Sequence, residues 1–155
     1  MKCKIALLMI PFLLTGCNNY NGPKFHLEYV EEGSLVEVSA KSLFLDVKEG
    51  NDVVCYFGVD NCGACDAAKA ELTTFLASAH YNIDYINLSN INYENEGDNS
   101  YSYLYEITKG DAYFAFPEDG NNITVPLLLM FKDEFVGLYF NDGFISMLNT
   151  YVTTD

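Results

Sequence analysis

Two cysteines separated by two small residues, Cys62-Gly63-Ala64-Cys65, give this sequence its clearest capacity for chemistry. The apolar, β-branched and aromatic run at residues 53–57 predicts a buried strand before them. After them, apolar residues recur at spacings of three and four, as on one face of an amphipathic helix; they are Cys65, Ala68, Leu72, Phe75, Leu76 and Ala79. The first sulfur is therefore expected at a helix N-terminus, where free amide groups and the helix dipole favour thiolate over thiol. The second is expected one turn later on the buried face, close enough to close a disulfide, which is the layout of a redox dithiol.

Two other interpretations of the cysteine pair are a fixed structural disulfide and a zinc site. A bridge that closes so short a loop contributes little stability on the loop-entropy argument, so reactivity explains the spacing better. A structural zinc ion needs four ligands, and the other candidates are Cys55, His26 and His80. Neither histidine is paired at ligand spacing, and Cys55 falls inside the predicted strand. No metal is therefore expected.

The rest of the chain alternates predicted strands and helices around this segment. Strands are expected at 27–30, 35–38, 53–57, 83–88, 127–131 and 135–140, the last two as an antiparallel hairpin. Helices are expected at 40–48 with Ser39 as N-cap, from the cysteines to about 80, near 101–108, and at 143–152. For the cysteine helix, Asp60 or Asn61 is the expected N-cap.

The N-terminus has the features of an export signal. Lys2 and Lys4 precede an apolar run at 5–14, which is shorter than the roughly 20 residues that span a bilayer. Leu14-Thr15-Gly16-Cys17 resembles the lipobox of bacterial lipoproteins, which implies cleavage before Cys17 and lipid attachment to its sulfur. An ordinary secretory signal would end in a small-x-small site, which is absent here. We therefore expect a lipoprotein signal peptide at 1–16, a lipidated linker at 17–25 and one domain at 26–155.

The composition limits the possible partners. With 22 acidic and 8 basic residues, the chain has a formal net charge of −14. Such a surface argues against nucleic acid and against electrostatic adhesion to anionic lipid. Membrane attachment is therefore expected through lipid on Cys17 alone, on the extracytoplasmic side of a bacterial membrane.

The order of elements, the dithiol and the segment 124–134 together resemble the thioredoxin family. This resemblance implies an α/β fold, a three-layer α/β/α sandwich with a central mixed sheet and an insertion at about 89–122, between the third strand and a hairpin that begins with a cis-proline. It implies Cys62 as nucleophile, Cys65 as resolving thiol and Pro126 as the cis-proline. Val125 would then pair its backbone with the substrate, and Gly63 and Ala64 would line the contact.

The sequence also departs from the family pattern around the dithiol. Asn61 replaces the usual aromatic before the first cysteine, and Tyr56 falls where many thioredoxins bury a carboxylate. Asp66 replaces a frequent lysine after the second cysteine, and Asp60 adds another negative charge nearby, which opposes ionisation of Cys62. We expect its pKa near ~7 rather than the ~3.5 of a strong oxidase, which favours a reductant or isomerase.

The resulting functional prediction is a membrane-anchored thiol–disulfide oxidoreductase that exchanges disulfides with exported proteins. It would need no cofactor beyond its own Cys62–Cys65 disulfide, and a membrane partner would donate or accept electrons. One alternative is a thioredoxin-fold binding or accessory lipoprotein in which the dithiol is not catalytic. Another is a structural surface lipoprotein with a fixed disulfide.

Overall fold

The computed structural model describes residues 23–91, 100–108, 124–140 and 143–154, with the backbone alone for 134–140. The expected signal segment at 1–16, the expected lipidation residue Cys17 and much of the expected insertion at 89–122 lie outside these ranges. Within the described ranges, no helix is long and apolar enough to cross a membrane.

Seven strands and four α-helices occupy the described residues. The strands are β1 (Phe25–Leu27), β2 (Leu35–Glu37), β3 (Val53–Gly58), β4 (Ile83–Asn87), β5 (Leu127–Lys132), β6 (Glu134–Phe140) and β7 (Val152–Thr154). The helices are α1 (Ala40–Lys48), α2 (Gly63–Ala79), α3 (Ser100–Thr108) and α4 (Phe144–Tyr151), with a short 3-10 helix at Leu88–Asn90 after β4.

Five strands form a mixed central sheet in the order β2-β4-β3-β5-β6. The strands β2, β4 and β3 are parallel, while β5 runs antiparallel to β3 and β6 antiparallel to β5. The central strand β3 is buried along its whole length, which explains why its sequence is a continuous apolar run rather than an alternating one. The expected mixed sheet is confirmed.

Side-chain alternation along β3 divides the core into two clusters, one on each face of the sheet. Cys55 and Phe57 point to the face covered by α1 and α3, where they pack in one buried cluster with Leu43 and Leu104. The intervening residues Val54 and Tyr56 point to the other face; their cluster includes Leu72 and Leu76 of α2 and Phe144 and Leu148 of α4. Helices thus cover both faces, and the expected three-layer sandwich is confirmed.

The ends of the domain differ from the expected pattern. The first strand lies at Phe25–Leu27, whereas the sequence pattern predicts it at 27–30. Its position follows from burial, since Phe25 is a core residue and Tyr29 is exposed. After α4, residues 152–154 leave the helix and form β7, which pairs in parallel with β1 through Phe25 and Val152. This two-stranded sheet begins within the range expected for the linker.

Candidate active site

The cysteine pair lies where β3 passes into α2. The strand ends at Gly58 and the helix begins at Gly63, with Cys62 itself as the N-cap. Its Sγ accepts a hydrogen bond from the backbone N–H of Cys65, at 3.1 Å. The expectation that Asp60 or Asn61 caps this helix is wrong. Asn61 has a left-handed backbone (φ 58°), a conformation that asparagine tolerates, so the chain turns there and the helix starts one residue later.

The two sulfurs are joined and differ in exposure. Cys62 and Cys65 form a disulfide, with their Cα atoms 5.2 Å apart. Cys62 is partly exposed, whereas Cys65 is 3% exposed and sits on the buried face of α2. An external thiol or disulfide can therefore reach the sulfur of Cys62 more readily than that of Cys65.

The start of β5 lies at the same edge of the sheet. The peptide bond between Val125 and Pro126 is cis. Because β5 is antiparallel to β3 with Phe57 opposite Leu127, the register brings Pro126 towards Gly58, where the chain leaves the sheet for the cysteines. Val125 is partly buried and packs against the same cluster as Val59, which lies in the loop (residues 59–62) between β3 and α2. The register thus places the Val125–Pro126 bond and the loop that leads to the cysteines at the same edge of the sheet. Gly63 and Ala64, which lie between the two cysteines in sequence, are exposed.

Tyr56 lies beneath the disulfide, on the face of the sheet that α2 covers. Its side chain is fully buried, and its hydroxyl donates a hydrogen bond to the carbonyl oxygen of Cys65, at 2.8 Å. Burial raises the pKa of this hydroxyl, and the charges of Tyr85 and Asp66 raise it further. The hydroxyl therefore stays protonated and acts as a donor that ties the first turn of α2 to β3, and it is no proton acceptor near neutral pH.

Gly58, at the end of β3, lies against this contact. A Cβ at this position would meet the Tyr56 hydroxyl oxygen at 3.4 Å and the Cys65 Cβ at 3.5 Å, which are ordinary van der Waals distances. The sequence marked position 56 as a departure from the family pattern. The bond from its hydroxyl to Cys65 was not predicted, because it joins residues nine apart through the packing of α2 on the sheet.

The other candidates for chemistry are separated from the dithiol. Cys55 faces the cluster on the opposite side of the sheet. Burial, and secondly the charge of Asp84, raise the pKa of its thiol well above the ordinary value. Cys55 therefore stays an unreactive thiol. His80 is the left-handed C-cap of α2, and the His26 ring lies 3.2 Å from the Thr153 hydroxyl. A 17-residue helix is about 25 Å long, so His80 is remote from Cys62. In the part of the chain that the structure describes, no three such ligands meet to hold a metal ion.

A ring of hydrogen bonds holds the loop just before Cys62. The backbone N–H of Asp60 donates to the Ser89 hydroxyl (2.8 Å), and the Asn87 side-chain amide donates to the Asp60 carboxylate (2.9 Å). The Ser89 N–H closes the ring by donating to the Asn87 side-chain oxygen (3.1 Å). Sequence reasoning did not find Asn87 or Ser89. The one available signal was a polar residue at the end of a strand that neighbours the cysteine strand.

Comparisons with known proteins add structural similarity only. No family model and no curated protein matches the sequence. A solved protein with a thioredoxin fold and a suggested oxidoreductase activity superposes with a TM-score of 0.53 at 15% identity, over 76% of this chain and 92% of that one. The short form of thioredoxin f from spinach chloroplast gives 0.49 at 16% identity, over 79% and 93%. The N21Q mutant of thioredoxin from Halobacterium salinarum NRC-1 gives 0.47 at 18% identity, over 79% and 93%.

Proposed function

Because the chain has a thioredoxin-like fold with a cysteine pair at its helix N-terminus, we propose that it is a thiol–disulfide oxidoreductase acting on exported proteins. The observation that carries this proposal is the Cys62–Cys65 disulfide, in which Cys62 is partly exposed and Cys65 is buried. A fixed structural bridge requires no such difference in exposure, whereas sequential attack by two thiols uses it directly.

In the reducing direction, the reduced protein begins with a thiolate at Cys62. It attacks one sulfur of a client disulfide, forms the Cys62–client bond and releases the other client sulfur as a thiolate, which takes up a proton. Cys65 then loses its proton and attacks Cys62, which closes the Cys62–Cys65 disulfide and releases the second client thiol. Counted from the dithiol, whose Cys62 proton is released when the thiolate forms, the protein loses two electrons and two protons and the client gains them. The oxidising direction is the same sequence reversed.

The first turn of α2 favours the attacking thiolate. A negative charge on Cys62 would lie at the positive end of the helix dipole, and the Cys65 N–H already points at its sulfur. The Tyr56 hydroxyl holds the Cys65 carbonyl, which keeps this turn seated on the sheet. These residues orient the reacting sulfurs without supplying a base.

Val125 and Pro126 supply the surface on which a client would bind. The Val125 backbone would pair with an extended client segment by strand-like hydrogen bonds, which hold any sequence with modest selectivity. Pro126 lacks an N–H, so it places no competing donor beside the sulfurs. Exposed Gly63 and Ala64 are small enough to let a client backbone approach.

The charges around the dithiol favour a reductant or isomerase over a strong oxidant. No basic residue stands between the sulfurs, and the exposed Asp60 and Asp66 flank them in sequence. Negative charge opposes the Cys62 thiolate, destabilises the reduced form and makes the disulfide a weaker oxidant. The chemistry uses the cysteine pair itself and calls for no further cofactor, with a membrane partner as the electron donor or acceptor.

We place this activity outside the cytoplasm, on lipid attached to Cys17. The support for this is the sequence at 1–17: a basic start, a short apolar run and a lipobox-like tetrapeptide. Two acyl chains at Cys17 would anchor the domain durably, whereas one alone binds only marginally. Labelling of bacteria that express the chain with a radioactive fatty acid tests this. Label is expected in the unaltered chain and not in Cys17→Ala. Label in both, or in neither, would refute lipid attachment at Cys17.

A trapping variant tests the activity. Cys65→Ser should retain mixed disulfides on Cys62, seen as reductant-sensitive adducts of exported proteins, while the double variant Cys62→Ser/Cys65→Ser serves as the matched control. The unaltered chain should also catalyse insulin reduction in the presence of dithiothreitol. If Cys65→Ser captures no more than the control and insulin reduction is absent, the chain is a binding or structural lipoprotein.

A further inference from the structure

The loop that delivers Cys62 is tied to the end of the neighbouring strand. Gly58 of β3 is in register with Asn87 of β4, so the chain just beyond Gly58 runs beside the 3-10 helix that follows β4. Asp60 is bonded there twice, through its N–H to Ser89 and through its carboxylate to Asn87. The loop therefore has a defined conformation, although Asp60 itself is exposed.

This tie fixes the place of a negative charge two residues before the nucleophile. A free aspartate on a surface loop would sample many positions, so its charge would act on a neighbouring group from no fixed distance. Here the Asn87 amide holds one carboxylate oxygen at 2.9 Å. The Asn87 side-chain oxygen is in turn occupied by the Ser89 N–H, so the amide is oriented with its nitrogen towards Asp60.

Resting on the proposed function, we propose that Asn87 and Ser89 are positioning residues: they fix the Asp60 carboxylate in the loop two residues before Cys62, and the fixed charge makes the disulfide a weaker oxidant. The charge destabilises the thiolate relative to the disulfide, and the ring of hydrogen bonds keeps the charge from leaving. Neither Asn87 nor Ser89 touches the reacting sulfurs. They act through Asp60.

The other charged groups on the elements around Cys62 have contacts of their own. Asp66, in the first turn of α2, adds to the same effect, and its N–H donates to the Cys62 carbonyl. Glu37 at the end of β2 accepts a longer bond from Asn90, at 3.4 Å. Lys69 lies over the Tyr85 ring, 4.0 Å from its centre. Removal of Asp60 alone should therefore leave a measurable share of the effect in place.

The test measures Cys62 itself, without a client. The full-length chain is purified in detergent, and the alkylation rate of reduced Cys62 is followed against pH alongside its equilibrium with glutathione. Asp60→Asn keeps the shape and the acceptor for Asn87 and removes the charge. We expect the acid dissociation constant of Cys62 to rise about three-fold, with the dithiol form favoured by about two- to three-fold against glutathione.

Asn87→Ala is combined with Asp60→Asn to separate positioning from mere structural support. If Asn87 acts through the Asp60 charge, Asn87→Ala raises the acid dissociation constant in the original background and does nothing more in the Asp60→Asn background. Ser89→Ala should behave in the same way. Glu71→Gln, which removes an exposed charge two turns along α2, is the matched control and should leave both quantities unchanged.

Three results would overturn the proposal: no change in Asp60→Asn, no change in Asn87→Ala, or an equal change from Asn87→Ala in both backgrounds. None of them bears on whether exchange occurs, because insulin reduction by the unaltered chain is measured separately. A chain without exchange activity could still show the expected shift at Cys62, so the two failures remain distinguishable.

Discussion

The partly buried carboxyl of Asp84 allows the pH dependence of the free energy of unfolding to be predicted. Asp84 lies on β4 opposite Cys55, on the face of the sheet that α1 covers. Burial raises the pKa of its carboxyl to about 6, and the negative charge of Asp46 on α1 adds to the effect. In the unfolded chain the same carboxyl has an ordinary pKa of about 3.9.

The folded state thus binds the Asp84 proton more tightly than the unfolded chain does. The stability linked to this proton is fully present below about pH 4 and is lost as the pH rises through about 6. Two pKa units correspond to about 3 kcal/mol, and partial exposure of Asp84 reduces this to about 1–2 kcal/mol. Asp84→Asn removes the ionisation, so the variant should be more stable than the unaltered chain by about that amount at pH 7.5.

Urea unfolding of the disulfide-bonded protein measures this difference. The free energy of unfolding is compared at pH 4 and pH 7.5 for the unaltered chain, for Asp84→Asn and for Glu71→Gln, whose exposed carboxylate provides the matched control. The gain from Asp84→Asn should appear at pH 7.5 and shrink towards pH 4. An equal gain at both values, or a loss at pH 7.5, would refute the electrostatic reasoning.

Three further substitutions test the cap and packing of α1 and the hydrogen bond beneath the dithiol. Ser39→Ala removes the hydroxyl that accepts the Ser42 N–H at the start of α1, and should lower the free energy of unfolding by about 1 kcal/mol; a change below 0.3 kcal/mol, on the order of experimental error, would contradict the cap. Tyr56→Phe removes only the donor to Cys65 and should cost about 1 kcal/mol, with faster alkylation of reduced Cys65 as the first turn of α2 loosens; unchanged stability and alkylation would contradict its positioning role. Leu43→Ala opens a cavity in the α1 face of the core and should cost about 2–5 kcal/mol in urea unfolding, whereas a cost under 1 kcal/mol would contradict its burial.

The elements around the dithiol were predictable from sequence because each has a strong local signal. The apolar run of β3, the amphipathic face of α2 and the Ser39 cap of α1 depend on neighbouring residues only. The hairpin was equally predictable, because the two apolar runs of β5 and β6 are separated by a short turn in the sequence. The layering then follows, since α/β chains bury a sheet between helices.

The features that were missed depend on long-range packing or on backbone conformation. Nothing local distinguishes Asn61, which turns the chain, from Asp60, which anchors it, so the sequence alone predicts the N-cap one or two residues too early. The strand β7 is only three residues long and exists through its pairing with β1, at the other end of the domain sequence. The Asn87–Asp60 bond joins residues 27 apart. Pro126 was identified through the resemblance rather than through its own neighbours.

The order in which the two sulfurs react tests the central claim most directly. The reduced full-length chain is mixed with one equivalent of glutathione disulfide, quenched with acid at short intervals and mapped by mass spectrometry. Glutathione should appear first on Cys62 and then leave as the Cys62–Cys65 bridge closes, while Cys55 stays free. Glutathione that accumulates on Cys65 or Cys55, or a dithiol that does not exchange at all, would contradict the assignment of Cys62 as the attacking sulfur.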